Sequence, residues 1–287
     1  MAGANIHFPI RLKSCIGEAS LGHGVVIRPL VESDRPRLLG IKSATLDQDG
    51  RLASFVSAGP DPMADFVTAS VDRYDEFYSS NYVVSVPSRD HAVSLNLALK
   101  LFAKSCSSLW IGSSSDESSS IRSRHFLNPP CYFGSAPLSL DSGGVLPLSA
   151  LLSDCIARRG DKKFALMSDI FLYAMSDAPR KESRCIELSV ILEMLLLPKA
   201  STELSYRFAL RLAKLATKYL GESGADWFKR GKTIYETRSR LVHSGSYEKL
   251  SVVADDIHET ARLLLAMYVE NPAIFEEDCL DALCISP

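Results

Sequence analysis

One short segment of the chain combines an arginine, a serine and a histidine at positions 238, 239 and 243. If this segment is helical, Ser239 and His243 are four residues apart and share a face, with Arg238 beside them at the same end. A guanidinium can bind a phosphate with two N–H groups and stabilise developing negative charge. An imidazole can transfer a proton near neutral pH. These groups together suit phosphodiester cleavage.

The same three residues also have a purely structural interpretation. An arginine and a histidine near the C-terminal end of a helix complement the helix dipole and need no further role. The bare pattern of Arg238 and His243 therefore does not by itself predict an active site.

A second feature is Glu193, a carboxylate in an otherwise apolar stretch. Burying an unpaired charge is costly, so Glu193 needs a cationic partner. Two interpretations remain open: Glu193 orients a catalytic arginine, or it braces two helices, which is the simpler reading. The candidate partners are Arg207, Arg211, Arg238 and Arg240.

Three blocks of sequence around these residues resemble the Apea-like HEPN domain family. They are residues 184–197 (RCIELSVILEMLLL), 203–211 (ELSYRFALR) and 234–245 (IYETRSRLVHSG), in the family's order. The resemblance covers about residues 161–269 and is weaker over 82–112, and residues before 82 resemble nothing identified.

The resemblance implies an antiparallel helical bundle that forms a homodimer and acts as a metal-independent endoribonuclease without a cofactor. Arg238 and His243 occupy the family's arginine and histidine positions, and Ser239 occupies the small polar position after the arginine. By resemblance, Arg238 holds the scissile phosphate, His243 is general base or acid, and the RNA 2′-hydroxyl is the nucleophile. Two copies of the motif face each other across the dimer.

The family is linked to phage defence and abortive infection, so a toxic RNase is the leading expectation, with RNA and a regulatory protein as partners. The alternative is an inactive HEPN module that binds RNA or a partner protein. A third hypothesis, an enzymatic N-terminal region, has little support, because Gly17, Gly22 and Gly24 lack the spacing of a phosphate-binding loop.

The elements that must position the motif belong to an α+β chain. Residues 1–145 form a mixed α/β region of unassigned role, a candidate sensor or regulator, and residues 146–287 form an antiparallel helical bundle. Residues 112–123, rich in serine, are predicted to be an exposed loop. The predicted strands are 8–12, 25–29, 82–86 and 109–111, and the predicted helices are 35–41, 90–104, 148–158, 162–175, 182–197, 201–220, 225–243 and 250–269.

Charge is distributed unevenly along this chain. The total is -2, but residues 201–250 hold ten Lys and Arg against five acids, and residues 251–287 hold one against eight. Arg207, Arg211 and Lys232 in the basic segment are candidate RNA contacts, and Glu193 and Arg240 are candidate supporting residues. The seven scattered cysteines, the absence of a metal-ligand cluster and the lack of a signal peptide or long apolar run predict a cytoplasmic protein without metal or membrane anchor.

Overall fold

The computed structural model describes residues 5–15, 17–39, 41–46, 52–57, 78–104, 107–109, 111–115, 122–127, 137–176, 179–245 and 247–285. The chain divides into two compact units, Met1–Ala157 and Arg158–Pro287. The first is mixed α and β and the second is helical, so the α+β class is confirmed. None of the helices described is long and apolar enough to cross a membrane.

The N-terminal unit is built on a six-stranded sheet of order β3-β4-β7-β1-β8-β9. Its paired strands are antiparallel, and two further strand pairs, parallel β2–β10 and antiparallel β5–β6, lie outside it. The strands are β1 Ile6–Ile10, β2 Leu12–Cys15, β3 Ala19–Ser20, β4 Val26–Pro29, β5 Ile41–Leu46, β6 Leu52–Ser57, β7 Tyr82–Val86, β8 Ile111–Ser115, β9 Arg122–Phe126 and β10 Leu138–Leu140.

The described residues of this unit form three helices: α1 Asp34–Leu38, α2 Arg89–Phe102 and α3 Ser142–Ala157. Helix α3 packs on α2, and Ser149 Oγ donates a hydrogen bond to the Leu21 carbonyl at 2.8 Å. The helix predicted at 148–158 therefore belongs to the N-terminal unit, and the division falls after Ala157 rather than after residue 145.

The serine-rich segment differs from its prediction. Its first residues form β8, which pairs with β1 and β9, whereas 116–121 lie outside the described residues. The loop prediction is wrong for Gly112–Ser115 and for Arg122 and Ser123 of β9, because neighbouring strands supply the backbone partners that serine composition does not reveal.

The C-terminal unit consists of α4 Lys162–Ala174, α5 Lys181–Leu196, α6 Leu204–Leu215, α7 Gly224–Ser244, α8 Leu250–Glu270 and α9 Glu277–Ile285. Helix α5 is central, because it contacts α4, α6, α7 and α8. Its Leu188, Ile191, Leu192 and Leu195 are at most 1% exposed. This arrangement agrees with its nearly all-round apolar sequence.

Helices α6 and α7 pack most closely. An ideal Cβ on Gly231 of α7 would lie 2.8 Å from Ala209 Cα of α6. A π-helical turn, Ala216–Leu220, continues from the end of α6. Gly221 follows it in the left-handed conformation and precedes α7. The close contact fixes the rotation of α7, which carries Arg238, Ser239 and His243.

Candidate active site

The predicted motif lies on the last two turns of α7. Ser223 caps the start of the helix by accepting from the Asp226 N–H, and Gly245, at φ +70°, ends it. A glycine adopts this left-handed conformation at little cost, so the helix stops directly after the motif. The helix predicted at 225–243 is confirmed.

Arg238 is the partner of Glu193. Arg238 Nε lies 3.0 Å from Glu193 Oε1, and Nη2 donates to Oε2 at 3.4 Å. The two side chains are 30% and 25% exposed, so the ion pair between α7 and α5 is half-buried. Nε is itself buried and lacks the alignment of a hydrogen bond, so the guanidinium is held chiefly by charge and by the Nη2 contact.

Burial raises the pKa of Glu193, although the charge of Arg238 opposes this shift. The carboxyl group thus picks up a proton at a higher pH than an exposed glutamate does. Of the four arginines considered from sequence, Arg238 is the one that the structure pairs with Glu193.

Tyr235 is a site residue that sequence reasoning missed. It precedes Arg238 by three residues, and its ring packs against Phe208 with 5.7 Å between centroids. Burial and the nearby Glu193 carboxylate raise the pKa of Tyr235. The Tyr235 phenol therefore lies close enough to the Arg238–Glu193 ion pair to be affected by both charges. The only sequence signal was the three-residue spacing to Arg238.

His243 and Ser239 lie on a different side of α7 from Arg238. Four residues separate them, so they share a helical face, and His243 is exposed while Ser239 is half-buried. Among the described residues, no side chain forms a hydrogen bond or ion pair with the His243 imidazole. Arg238 and His243 are five residues apart, which places them about 140° apart around the helix axis. Arg238 turns toward Glu193 of α5, so the two side chains do not share one face of the helix.

Arg240 lies outside this cluster. Its side chain is 58% exposed, pairs with Glu236 at 2.7 Å and stacks over the Tyr247 ring at 5.3 Å. The sequence made Arg240 a candidate partner of Glu193, but its ion pair is with Glu236 instead.

Arg211 has a different role from the one predicted. It is 1% exposed and donates to the Leu196 carbonyl at 2.7 Å and to Glu277 and Asp281 of α9 at 2.5 Å each. Arg207 is 30% exposed and contacts the same two carboxylates at 3.3 and 3.0 Å. Arg211 is a buried brace between α6 and α9 with no open face for RNA, and part of the acidic segment neutralises part of the basic one.

Lys232 lies on the face of α7 that turns toward α6. Its Nζ is 5.6 Å from the Tyr206 ring centroid and 5.8 Å from that of Phe228, and it donates to Ser205 Oγ at 3.4 Å. Of the three predicted RNA contacts, Lys232 is thus the one placed beside aromatic rings.

Within the described residues, no group of three or more His, Cys, Asp or Glu side chains is arranged to hold a metal ion. Comparison of the chain with protein-family models, with curated proteins and with solved structures finds no match. The likeness to the HEPN family therefore stays a prediction.

Proposed function

We propose that this protein is an endoribonuclease of the HEPN type that cleaves RNA by 2′-hydroxyl attack. The observation that carries the proposal is the pairing of Arg238 with Glu193 on a neighbouring helix, with the exposed His243 five residues further along α7. A half-buried carboxylate restricts the arginine side chain, and a restricted guanidinium can bind a phosphate with less loss of freedom.

In the proposed reaction, the 2′-oxygen bonds to the adjacent phosphorus and the bond from phosphorus to the 5′-oxygen breaks. One His243 accepts the 2′-hydroxyl proton and a second His243 gives a proton to the departing 5′-oxygen. Arg238 balances the negative charge that accumulates on the non-bridging phosphate oxygens. The products are a 2′,3′-cyclic phosphate and a 5′-hydroxyl.

The proposal includes a homodimer. Because Arg238 and His243 lie about 140° apart on one helix, a second copy would let the arginine of one chain and the histidine of the other act on one phosphate. Two α7 helices meeting near their C-terminal ends would supply two histidines and two arginines to one cleft. The proposed biological role is phage defence or toxicity through RNA degradation.

The test uses end-labelled RNA in EDTA with purified wild-type protein and the variants His243→Ala and Arg238→Ala. Cleavage by the wild type and none by either variant is the expected result, with both variants still folded and dimeric. Arg159→Ala, an exposed arginine elsewhere in the same unit, is the matched control and should cleave normally. Cleavage that persists in His243→Ala excludes the proposal.

A second candidate function is a catalytically inactive module that binds RNA or a partner protein. It is favoured by the ion pair between Arg238 and Glu193, because an arginine that braces two helices needs no catalytic role. This candidate predicts labelled RNA that is shifted but intact in EDTA, with an affinity that falls as salt rises.

A further inference from the structure

A groove of about 540 Å³ opens in the C-terminal unit between α6, the π-helical turn, the start of α7 and α9. Its floor is apolar, formed by Leu210, Ala213, Ala225, Phe228 and Leu283, and Lys214 and Lys218 lie in its lining. A volume of this size lies within the range of sites that bind organic ligands.

The groove continues into a stripe of side chains along α7. Phe228, Lys232, Tyr235, Ser239 and His243 follow one another at intervals of four, three, four and four residues. Residues spaced by three and four share one helix face, and each of these five is half-buried or exposed. One end of the stripe is thus in the groove and the other end is the proposed catalytic histidine.

Aromatic rings and ammonium groups alternate along this path. The Tyr206 and Phe228 rings are 5.8 Å apart, edge to face, and the Lys232 ammonium lies near both. Tyr206 is 50% exposed, so much of its ring surface is open. Lys218, which lines the groove, lies 5.4 Å from the centre of the Tyr219 ring. Glu277 and Asp281, two of the acids on α9 near Leu283, are paired with Arg207 and Arg211.

We infer that this groove and stripe together form the track that binds single-stranded RNA on its way to His243. Base faces are apolar and stack on aromatic rings, and backbone phosphates pair with lysines. The surface therefore offers partners for both the bases and the phosphates of a single strand. In a duplex the base faces are stacked on one another, so they cannot contact the apolar floor of the groove. The inference rests on the proposed function for its substrate class and names the surface that selects it.

The length of the stripe sets a minimum site size. Phe228 and His243 are fifteen residues apart, or about 22 Å along the helix, which a stacked strand at about 3.4 Å per nucleotide covers with about seven nucleotides. Oligonucleotides shorter than about seven nucleotides are therefore expected to bind weakly.

The experiment measures fluorescence anisotropy of labelled oligouridines of four to twelve nucleotides, and of a twelve-base-pair duplex, with the full chain carrying His243→Ala. This background removes cleavage, so binding and catalysis are scored separately. Single strands should bind at least tenfold more tightly than the duplex. Phe228→Ala should weaken single-strand binding about tenfold, and Lys218→Ala should lower the slope of log affinity against log salt by about 0.7.

Two exposed residues on other helices of the unit are the matched controls. Tyr173→Ala and Lys181→Ala should leave affinity and salt slope unchanged. Phe228→Leu keeps the apolar volume without the aromatic face, so it should fold like the wild type in thermal melting and still lose affinity. This variant separates lost stacking from lost folding.

Equal binding of duplex and single strand would overturn the inference, and so would groove variants that bind like the controls. Binding of the long-chain fatty acid oleate, without binding of the oligouridines, would overturn it as well. None of these results bears on the proposed RNase activity of the wild type. Tight single-strand binding through Phe228 by a protein that cleaves no RNA would instead support the track and refute the proposed catalysis.

Discussion

Replacement of Arg211 by alanine should destabilise the C-terminal unit strongly. Arg211 is 1% exposed and donates to one backbone carbonyl and two carboxylates, those of Glu277 and Asp281. Removing one partner of a buried ion pair costs about 3–5 kcal/mol. Arg207 stays beside both acids and Asp281 is 44% exposed, so the expected loss is near the lower end of that range, about 3 kcal/mol.

Arg207→Ala is the matched control, because it removes a guanidinium from the same two carboxylates. Its side chain is 30% exposed, and exposed ion pairs contribute about 0–1 kcal/mol. The two truncations should therefore differ by about 2 kcal/mol or more, which isolates burial as the cause.

The assay is urea unfolding followed by tryptophan fluorescence in a Trp110→Phe background. The chain has two tryptophans, so Trp227, 4% exposed in α7, then reports on the C-terminal unit. A drop of about 3 kcal/mol also predicts a melting temperature lower by roughly 10 °C. Equal destabilisation by the two variants, or an Arg211→Ala protein as stable as the wild type, would refute the brace between α6 and α9.

Three further outcomes follow from the structure. Gly231→Ala should destabilise by about 1–3 kcal/mol in urea unfolding, because its new Cβ meets helix backbone at 2.8 Å, whereas Gly160→Ala, with open space around it, should not; equal effects would contradict the close helix contact. Glu193→Gln should reduce RNA cleavage and remove the part of the activity loss at acid pH that protonation of Glu193 causes, because burial raises the pKa of this carboxyl group; an unchanged acid limb would exclude this role. The paired arginine lowers the pKa of Glu277 and of Asp281, so their stabilisation is complete above the ordinary carboxyl values and is lost as pH falls through the lowered ones; acid unfolding monitored by circular dichroism should show this slope, and a stability independent of pH below about 4 would contradict it.

Local patterns in the sequence predicted several elements closely. The alternation and the following proline predicted a strand at Tyr82–Val86, which is β7. Apolar spacing and the glycine at 245 predicted the helix that is Gly224–Ser244. Signals of this kind lie within one element, so a single sequence contains them.

Contacts between elements were not available from the sequence in the same way. Four arginines were equal candidates for Glu193, and only the rotation of α7 against α5 selects Arg238. Likewise, the charge pattern left open where the acids of residues 251–287 lie, and Glu277 reaches Arg211 across 66 residues. Tertiary packing decides such pairs, since residues far apart in sequence carry no spacing rule.

The most direct measurement of the central claim compares an RNA oligonucleotide with its all-2′-deoxy counterpart, both incubated with wild-type protein in EDTA. Cleavage by way of the 2′-hydroxyl, with Arg238 and His243 acting on the phosphate, predicts that only the RNA is cut, leaving 5′-hydroxyl and 2′,3′-cyclic phosphate ends detectable by mass spectrometry. Cleavage of the deoxy strand, or RNA that is bound and left whole by the wild type, would contradict it.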